Sequence, residues 1–290
     1  MKRFLTLILT LCAISFAQVS FAQEDLTFSI NDVRKQEITK VINEIETYSN
    51  AKNQKALSKL YSEDYANDDG FNKEELLVVI KKTYDAYNDL KFEIKIDDII
   101  VNNNYAAVVL TEKITGKTKQ NSEIITEQGH LNVYIKEVIY LKKINASWAV
   151  YYEDVLIEKS GLAYGAAKKI CADITAPLKV ASDSDYTASL IIDIPSNTAA
   201  LASINNEPIT PDLKTGKEIF RQVPLNNSVL ERVMKANKKG QNEMVIASVG
   251  LTQLVEEASS KQTKIKLGGL LILMEKVDVF CPAKQDEIKK

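Results

Sequence analysis

The chain has 290 residues, and its 37 lysines and arginines nearly balance its 39 aspartates and glutamates, for a formal net charge of −2 at pH 7. Acidic and basic residues are mixed along the sequence without a basic stripe, which argues against a nucleic-acid partner. The length is that of about two domains.

Residues 1–22 are predicted to form a signal peptide that is removed. Lys2 and Arg3 precede an apolar run from Phe4 to Phe16, and Ser20-Phe21-Ala22 has the pattern of a cleavage site. A transmembrane anchor is the alternative, but the run is short for a hydrocarbon core of about 30 Å. We therefore expect a periplasmic or secreted protein without a transmembrane span after cleavage.

Helical spacing of apolar residues predicts three helices before any strand. The first covers about residues 32–50, and the second carries its apolar face from Ala56 to Tyr61. Asn72 followed by Glu75 has the spacing of a capping box, which predicts that a third helix begins there.

From Lys91 onward the apolar period changes to two, which predicts about four long antiparallel strands. The last two form a hairpin over residues 131–157 that turns at Asn145-Ala146. Trp148 opens the returning strand.

This order of elements resembles the NTF2-like family over about residues 25–157. The resemblance lies in Tyr61–Gly70, Ile96–Val109 and Leu141–Val150. It implies an α+β fold in which three helices pack on a curved antiparallel sheet to form a cone with a cavity. Members of the family include isomerases, dehydratases, carriers and non-catalytic modules, so the resemblance does not select an activity.

The second half is predicted to be an immunoglobulin-like β-sandwich over residues 171–282, because short strands alternate with turn signals. A linker over 159–170, rich in glycine and alanine, would separate two independently folding domains, the first at 25–158, and a polar tail would occupy 283–290. Residues 176–190 and 204–209 resemble immunoglobulin-like modules of the bacterial gliding-motility and type IX secretion shaft. This weaker resemblance implies a bacterial envelope setting.

Two cysteines remain after signal removal, Cys171 and Cys281, and their even number in an exported chain predicts a disulfide between them. Two free thiols and a metal pair are the alternatives. No metal site is predicted, because two cysteines and one distant histidine do not make a four-ligand set.

Glu137 is the sharpest candidate for chemistry, since it is the one carboxylate on the apolar phase of its strand. With a two-residue turn, paired residues would sum to 291, and Glu137 would face Asp154 on the side that carries Trp148. Such a pair in an apolar cavity raises the pKa of one carboxyl and creates a general acid. An open sheet end, a bulge or a longer turn would remove the pair, and these alternatives stay open.

His130 is the only histidine and the third catalytic candidate, although a structural role is more common for a lone histidine. Trp148, Tyr140 and Tyr152 are candidates for lining a ligand cavity, with ordinary sheet packing as the alternative. No nucleotide-binding, serine-hydrolase or metalloprotease motif occurs, and no cofactor is predicted.

These patterns favour a non-catalytic binding or assembly module of the bacterial envelope, with a protein partner there. An NTF2-like isomerase or hydro-lyase that uses Glu137, Asp154 and His130 is the alternative, as is a carrier for a small apolar ligand.

The signal-peptide prediction can be tested by expressing the full chain in a bacterium and recovering the exported protein. We expect its amino terminus to be Gln23, because cleavage follows Ala22. N-terminal sequencing and intact mass measure this directly. A protein that retains residues 1–22 would contradict the prediction.

Overall fold

A computed structural model describes residues 32–211, 218–224, 228–256 and 263–282. The predicted signal peptide and the predicted polar tail lie outside these residues. Within the described ranges, no helix combines the length and the apolar character that crossing a membrane requires.

Among the described residues, helices are confined to the first half, apart from one short 3-10 turn. Helix α1 covers residues 32–50, as predicted, α2 covers Gln54–Leu57, and α3 covers Lys73–Ala86. The predicted capping box opens α3, with Glu75 N donating to Asn72 Oδ1 and Asn72 N donating to Glu75 Oε2, both at 3.0 Å. The second helix is shorter than predicted, because a 3-10 turn follows it and the chain is extended from Tyr61.

Most of the described chain is extended, in thirteen strands. In chain order they are β1 Tyr61–Asn67, β2 Tyr87–Asn102, β3 Tyr105–Asn121, β4 Gln128–Ile144, β5 Ser147–Gly165, β6 Ala172–Thr175, β7 Lys179–Ala181, β8 Asp185–Ile192, β9 Thr198–Pro208, β10 Arg221–Gln222, β11 Val229–Lys235, β12 Glu243–Glu256 and β13 Thr263–Phe280. A ten-stranded sheet has the order β10-β9-β12-β13-β5-β4-β3-β2, with β1 beside β5 and β7 beside β13. A three-stranded sheet has the order β11-β8-β6.

Strand β5 joins the two halves into one sheet. Its first part pairs with β1 from Val150 to Glu153, and its last part pairs with β13 from Lys159 to Gly165. Residues 159–165 were predicted to be linker, yet they are strand. The strands of the second half therefore extend the sheet of the first half.

The predicted fold class is therefore wrong. The protein is mainly β, rather than an α+β cone followed by a separate sandwich. Strands β2 to β5 are 16–19 residues long, so they provide more sheet than three helices can cover. Two sheets do pack face to face in the second half, but the larger of them is the shared sheet, and an immunoglobulin-like domain is not confirmed.

Two hydrophobic cores lie on the shared sheet. In the first half, α1 packs its apolar face on strands β3, β4 and β5, where the buried residues are Ile38, Val41, Ile42, Ile45, Val108, Leu110, Ile139, Leu141 and Val150. In the second half, Leu190 of β8 belongs to a core that includes Val245 and Val249 of β12. Helix α1 therefore covers the face of the first-half sheet that carries these side chains, which we name the concave face; the opposite face is named the convex face.

Helix α1 also contacts the backbone of β2, the last strand of the sheet. The Asn50 side chain donates to Phe92 O and accepts from Phe92 N, both at 2.9 Å. Glu46 Oε2 accepts from Ile94 N at 2.9 Å. Side chains thus occupy positions that the backbone of a neighbouring strand would otherwise fill.

The predicted disulfide is not formed, because Cys171 and Cys281 are free, exposed thiols. Asp193 N donates to Cys171 O at 2.8 Å, just beyond the end of β8. The carbonyl that precedes Cys281 accepts from Ser182 N at 2.9 Å, just before β8 begins. The two cysteines are therefore separated by the length of β8, on the order of 25 Å, whereas a disulfide needs Cα atoms about 4.4–6.8 Å apart.

The shared sheet predicts that the two halves unfold together. Leu190 is fully buried in the core of the second half, so Leu190→Ala should lower the free energy of unfolding by about 2–5 kcal/mol. Fluorescence of Trp148, the only tryptophan and a residue of the first half, should report the same downward shift in melting temperature as circular dichroism.

The matched control for this experiment is Leu201→Ala, since Leu201 is 43% exposed on β9 and should change the transition little. A Trp148 transition that stays at the wild-type temperature in Leu190→Ala would show two independent domains.

Candidate functional site

The hairpin of β4 and β5 begins in the predicted register and then leaves it. Asn145 has a left-handed backbone in the tight turn, with φ of 56°, and Leu141 pairs with Val150 as predicted. A bulge then makes Tyr151 an extra residue, so Glu137 pairs with Val155 and Asp154 pairs with Val138. The predicted pair of Glu137 with Asp154 is therefore wrong.

The same bulge brings a different carboxylate to the face of Glu137. Because side chains alternate along a strand, a slip of one residue exchanges the two faces of β5. Glu153, which pairs with Ile139, now points to the concave side with Glu137. A second bulge at Leu156 leaves Glu158 on this side as well, opposite Ile135.

Four glutamates thus share the concave face, and we call Glu112, Glu137, Glu153 and Glu158 the carboxyl cluster. Glu137 is central, since Leu110 and Val155 flank it directly on β3 and β5. The other three glutamates occupy diagonal positions around it, at which Cα atoms are typically about 7–8 Å apart.

Burial separates the members of the cluster. Glu137 and Glu153 are 8% and 9% exposed, whereas Glu112 and Glu158 are partly exposed. Glu112 and Glu158 thus keep part of their surface in contact with solvent. Glu137 and Glu153 form the inner part of the cluster.

Burial raises the pKa of every carboxyl in the cluster, and the neighbouring carboxylates raise it further for most of them. The pKa of Glu137 lies well above its ordinary range because of burial and the charges of Glu153 and Glu112. Burial, followed by the charge of Glu153, raises the pKa of Glu112 to about 8. Burial, followed by the charge of Asp69, raises the pKa of Glu158 to about 7.

Two tyrosines of β1 contact the inner part of the cluster. Tyr65 donates its hydroxyl hydrogen to Glu153 Oε2 at 2.5 Å, and its ring meets that of Tyr61 edge to face, with centroids 5.2 Å apart. Burial raises the pKa of Glu153, and hydrogen bonds from Tyr65 and Tyr61 oppose that rise. Glu153 is therefore the member whose ionised form is best supported by hydrogen bonds.

The cluster can hold and exchange protons near neutral pH. Carboxyls that lie close together in an apolar environment cannot all ionise, so some are neutral acids beside others that are ionised bases. Among the described residues, no group of three or more histidine, cysteine, aspartate or glutamate side chains is arranged to hold a metal ion. The chemistry that this arrangement supports directly is proton transfer.

The other predicted site residues lie elsewhere. His130 is exposed on the opposite face of β4 from Glu137 and seven residues away along the strand. Trp148 is buried under α1, where its Nε1 donates to Glu37 Oε2 at 2.8 Å. Tyr140 and Tyr152 pair with each other on the convex face, with ring centroids 5.9 Å apart. The structure therefore does not bring these residues together with Glu137.

Sequence reasoning missed three glutamates and both tyrosines of this site. Glu112 had a usable signal, because it interrupts the apolar phase of Val108, Leu110 and Ile114 as Glu137 interrupts that of β4. Glu153 had no such signal in the sequence, because its orientation depends on the bulge at Tyr151, which no sequence pattern indicates.

Comparison with known proteins gives structural likeness only. No family model matches the chain, and no curated protein matches it. A conserved protein from Planctomyces limnophilus DSM 3776 is 12% identical, covers 42% of this chain and 94% of its own, and has a TM-score of 0.38. An NTF2-like protein from Cytophaga hutchinsonii ATCC 33406 is 12% identical, covers 42% of this chain and 95% of its own, and has a TM-score of 0.31.

A third similar structure is hexachlorocyclohexane dehydrochlorinase LinA-type3 from Novosphingobium barchaimii LL02. It is 8% identical, covers 43% of this chain and 86% of its own, and has a TM-score of 0.37. Of these three, the Cytophaga protein is the one whose description reads NTF2-like. A likeness at this level says nothing about activity.

The raised pKa values predict how stability depends on pH. Between about pH 4.5 and 8 the folded protein holds more protons on the cluster than the unfolded chain does. The free energy of unfolding should therefore fall as pH rises through this window, by about 1.4 kcal/mol per pH unit for each extra proton. Glu137→Gln removes one such proton, so it should gain stability relative to wild type as pH rises from 4 to 8.

Urea unfolding at a series of pH values measures this slope. Asp154→Asn is the matched control, because it removes a carboxylate from the other face of β5 and should leave the contribution of Glu137 to the slope in place. Equal slopes for wild type and Glu137→Gln would contradict the assignment of a buried, protonated Glu137.

Proposed function

We propose that the protein is an acid–base enzyme that transfers protons on a small organic substrate, in the isomerase or hydro-lyase class. The carboxyl cluster is the observation that carries this proposal. In the part of the chain that the structure describes, no lysine or arginine forms an ion pair with Glu112, Glu137 or Glu158. Burying such groups together costs stability, and perturbed carboxyls of this kind concentrate at functional sites.

Burial suggests the role of each member. Glu112 and Glu158 are the members that keep solvent-exposed surface, so we assign substrate contact to them, and their pKa values of about 8 and about 7 suit proton transfer near neutral pH. When one of them is ionised, it can remove a proton from carbon as a general base. When the other is protonated, it can give its proton to a departing hydroxyl, which leaves as water, or to another carbon of the substrate. Glu137 between them would hold a proton that can be exchanged with either.

A non-catalytic binding or assembly role is the second candidate, and one surface favours it. The outer face of the three-stranded sheet exposes Ile191 and Val233, which are 51% and 67% exposed. Both side chains lie on the face opposite the core, so a protein partner in the cell envelope could cover them. Export itself, to the periplasm or outside, is proposed on the pattern of residues 1–22 alone.

The catalytic proposal can be tested without knowing the substrate. We would incubate the protein with a bacterial small-molecule extract in deuterated buffer and follow the extract by mass spectrometry. A general base in water exchanges carbon-bound hydrogen, so a substrate should gain deuterium or lose the mass of water. Glu158→Gln should slow this change by about 10²–10⁴-fold.

Asp154→Asn is again the matched control, since it removes a carboxylate from the same strand but from the convex face, and should react like wild type. The proposal fails if no compound changes with the wild-type protein, or if Glu158→Gln and wild type change the extract equally. The assembly role would be favoured if the catalytic test fails and the protein captures an envelope protein. Ile191→Asp and Val233→Asp should then abolish this capture.

A further inference from the structure

A buried lysine of the second half contacts two aspartates of the first half. Lys276 of β13 is 3% exposed, and its Nζ forms an ion pair with Asp68 and lies 3.2 Å from Asp69 Oδ1. Asp278 of the same strand is 3.8 Å away. A buried ammonium group is tolerated only when it is paired, and here three aspartates surround it.

Asn242, also from the second half, holds the same two aspartates. Its Nδ2 donates to Asp69 Oδ1 at 3.0 Å and to Asp68 Oδ2 at 3.3 Å. Its Oδ1 accepts from Val279 N at 3.1 Å, which fixes the amide beside β13. Lys276 and Asn242 therefore both bind one short segment, Asp68-Asp69, which directly follows β1.

This segment is bonded to the part of β5 that carries the carboxyl cluster. Asp68 N donates to Glu153 O at 3.0 Å, and Asp68 Oδ1 accepts from Val155 N at 3.4 Å. Lys276 Nζ reaches Val155 O at 3.4 Å. Glu153 belongs to the cluster, and Val155 is the residue directly opposite Glu137. Lys276 therefore contacts the backbone beside the cluster, directly at Val155 and through Asp68 at Glu153.

We propose that Lys276 is a positioning residue for the carboxyl cluster, so that the second half of the chain completes the site of the first. Its role is to hold Asp68-Asp69 and, through them, the bulged segment of β5 in the register that turns Glu153 inward. The meaning of this role for catalysis rests on the proposed function, whereas the positioning itself does not.

Charges around Lys276 agree with this role. Burial works against its charge, but Asp69, Asp68 and Asp278 outweigh burial and raise its pKa. Burial raises the pKa of Asp68 to about 6 although Lys276 opposes that rise. Lys276 also lowers the pKa of Glu158, against burial and the charges of Asp69 and Asp68.

Ionisable groups of β5 also face Lys276 and its aspartates. Tyr152 of β5 senses the positive charge of Lys276, and Asp154 of the same strand acts on Asp278. The positive charge of Lys276 favours the ionised form of Glu158 and so lowers its pKa. Its removal should therefore make Glu158 harder to ionise.

The experiment compares Lys276→Met with Lys276→Arg in the full chain, by a carbon-13 NMR titration of the glutamate carboxyls. The midpoint of Glu158 should rise by about one pH unit in Lys276→Met. Lys276→Arg, which keeps the charge, should restore most of the wild-type midpoint. Lys235→Met is the matched control. Lys235 forms an ion pair with Asp183 on the surface, and both residues are far from the cluster in the sequence.

A folded Lys276→Met with an unchanged Glu158 midpoint overturns the proposal, even if its melting temperature is lower, because a merely structural lysine predicts that result. If Lys276→Met does not fold, Asn242→Ala removes hydrogen bonds to the same Asp68-Asp69 segment without changing charge. It should speed hydrogen exchange at the Val155 amide by at least about tenfold, and an unchanged rate would overturn the proposal. These readouts need no substrate, so a shifted midpoint with no reaction in deuterated buffer refutes the proposed function alone.

Discussion

One strand, β5, connects the two halves of the chain that the structure describes. It is 19 residues long and pairs with β4 along most of that length. Its other edge is divided, with β1 beside the first part and β13 beside the last. Since backbone hydrogen bonds must be satisfied within a buried sheet, neither half can leave this strand without exposing the unpaired groups of the other. The sequence changes from helices and long strands to short strands along the chain, but both halves share one sheet.

The chemistry of the concave face depends on two irregularities in that strand. Each bulge adds one residue and exchanges the two sides of everything that follows it. The first turns Glu153 toward Glu137, and the second keeps Glu158 on the same side. A regular hairpin would instead have directed Asp154 to the concave face and Glu153 to the convex face. Local backbone geometry, rather than composition, thus determines which carboxyls meet.

The sequence predicted what local pattern determines. Helix α1, the capping box of Asn72 and Glu75, the turn at Asn145 and the inward orientation of Glu137 each depend on residues close together in the chain. The bulges were beyond such reasoning, because Tyr151 and Leu156 look like ordinary strand residues.

Long-range features were less accessible. The pairing of β5 with β13 joins segments more than 100 residues apart, and no local pattern marks it. The disulfide prediction failed for a related reason, because an even number of cysteines does not show where the chain enters and leaves the second half. In the structure the chain enters at one end of β8 and leaves at the other. Spacing along the chain gave no information about that direction.

The contacts of α1 with β2 have a consequence for how the protein behaves at high concentration. A 16-residue strand at the border of a large sheet is a template on which a second copy could add its own strand, and such growth leads to aggregates. Asn50 bonds the N–H and the carbonyl of Phe92, and Glu46 accepts from the N–H of Ile94, in the middle of that border. Helix α1 thereby serves two purposes with two of its faces, since one face fills the core and the flank beside it keeps neighbouring molecules apart.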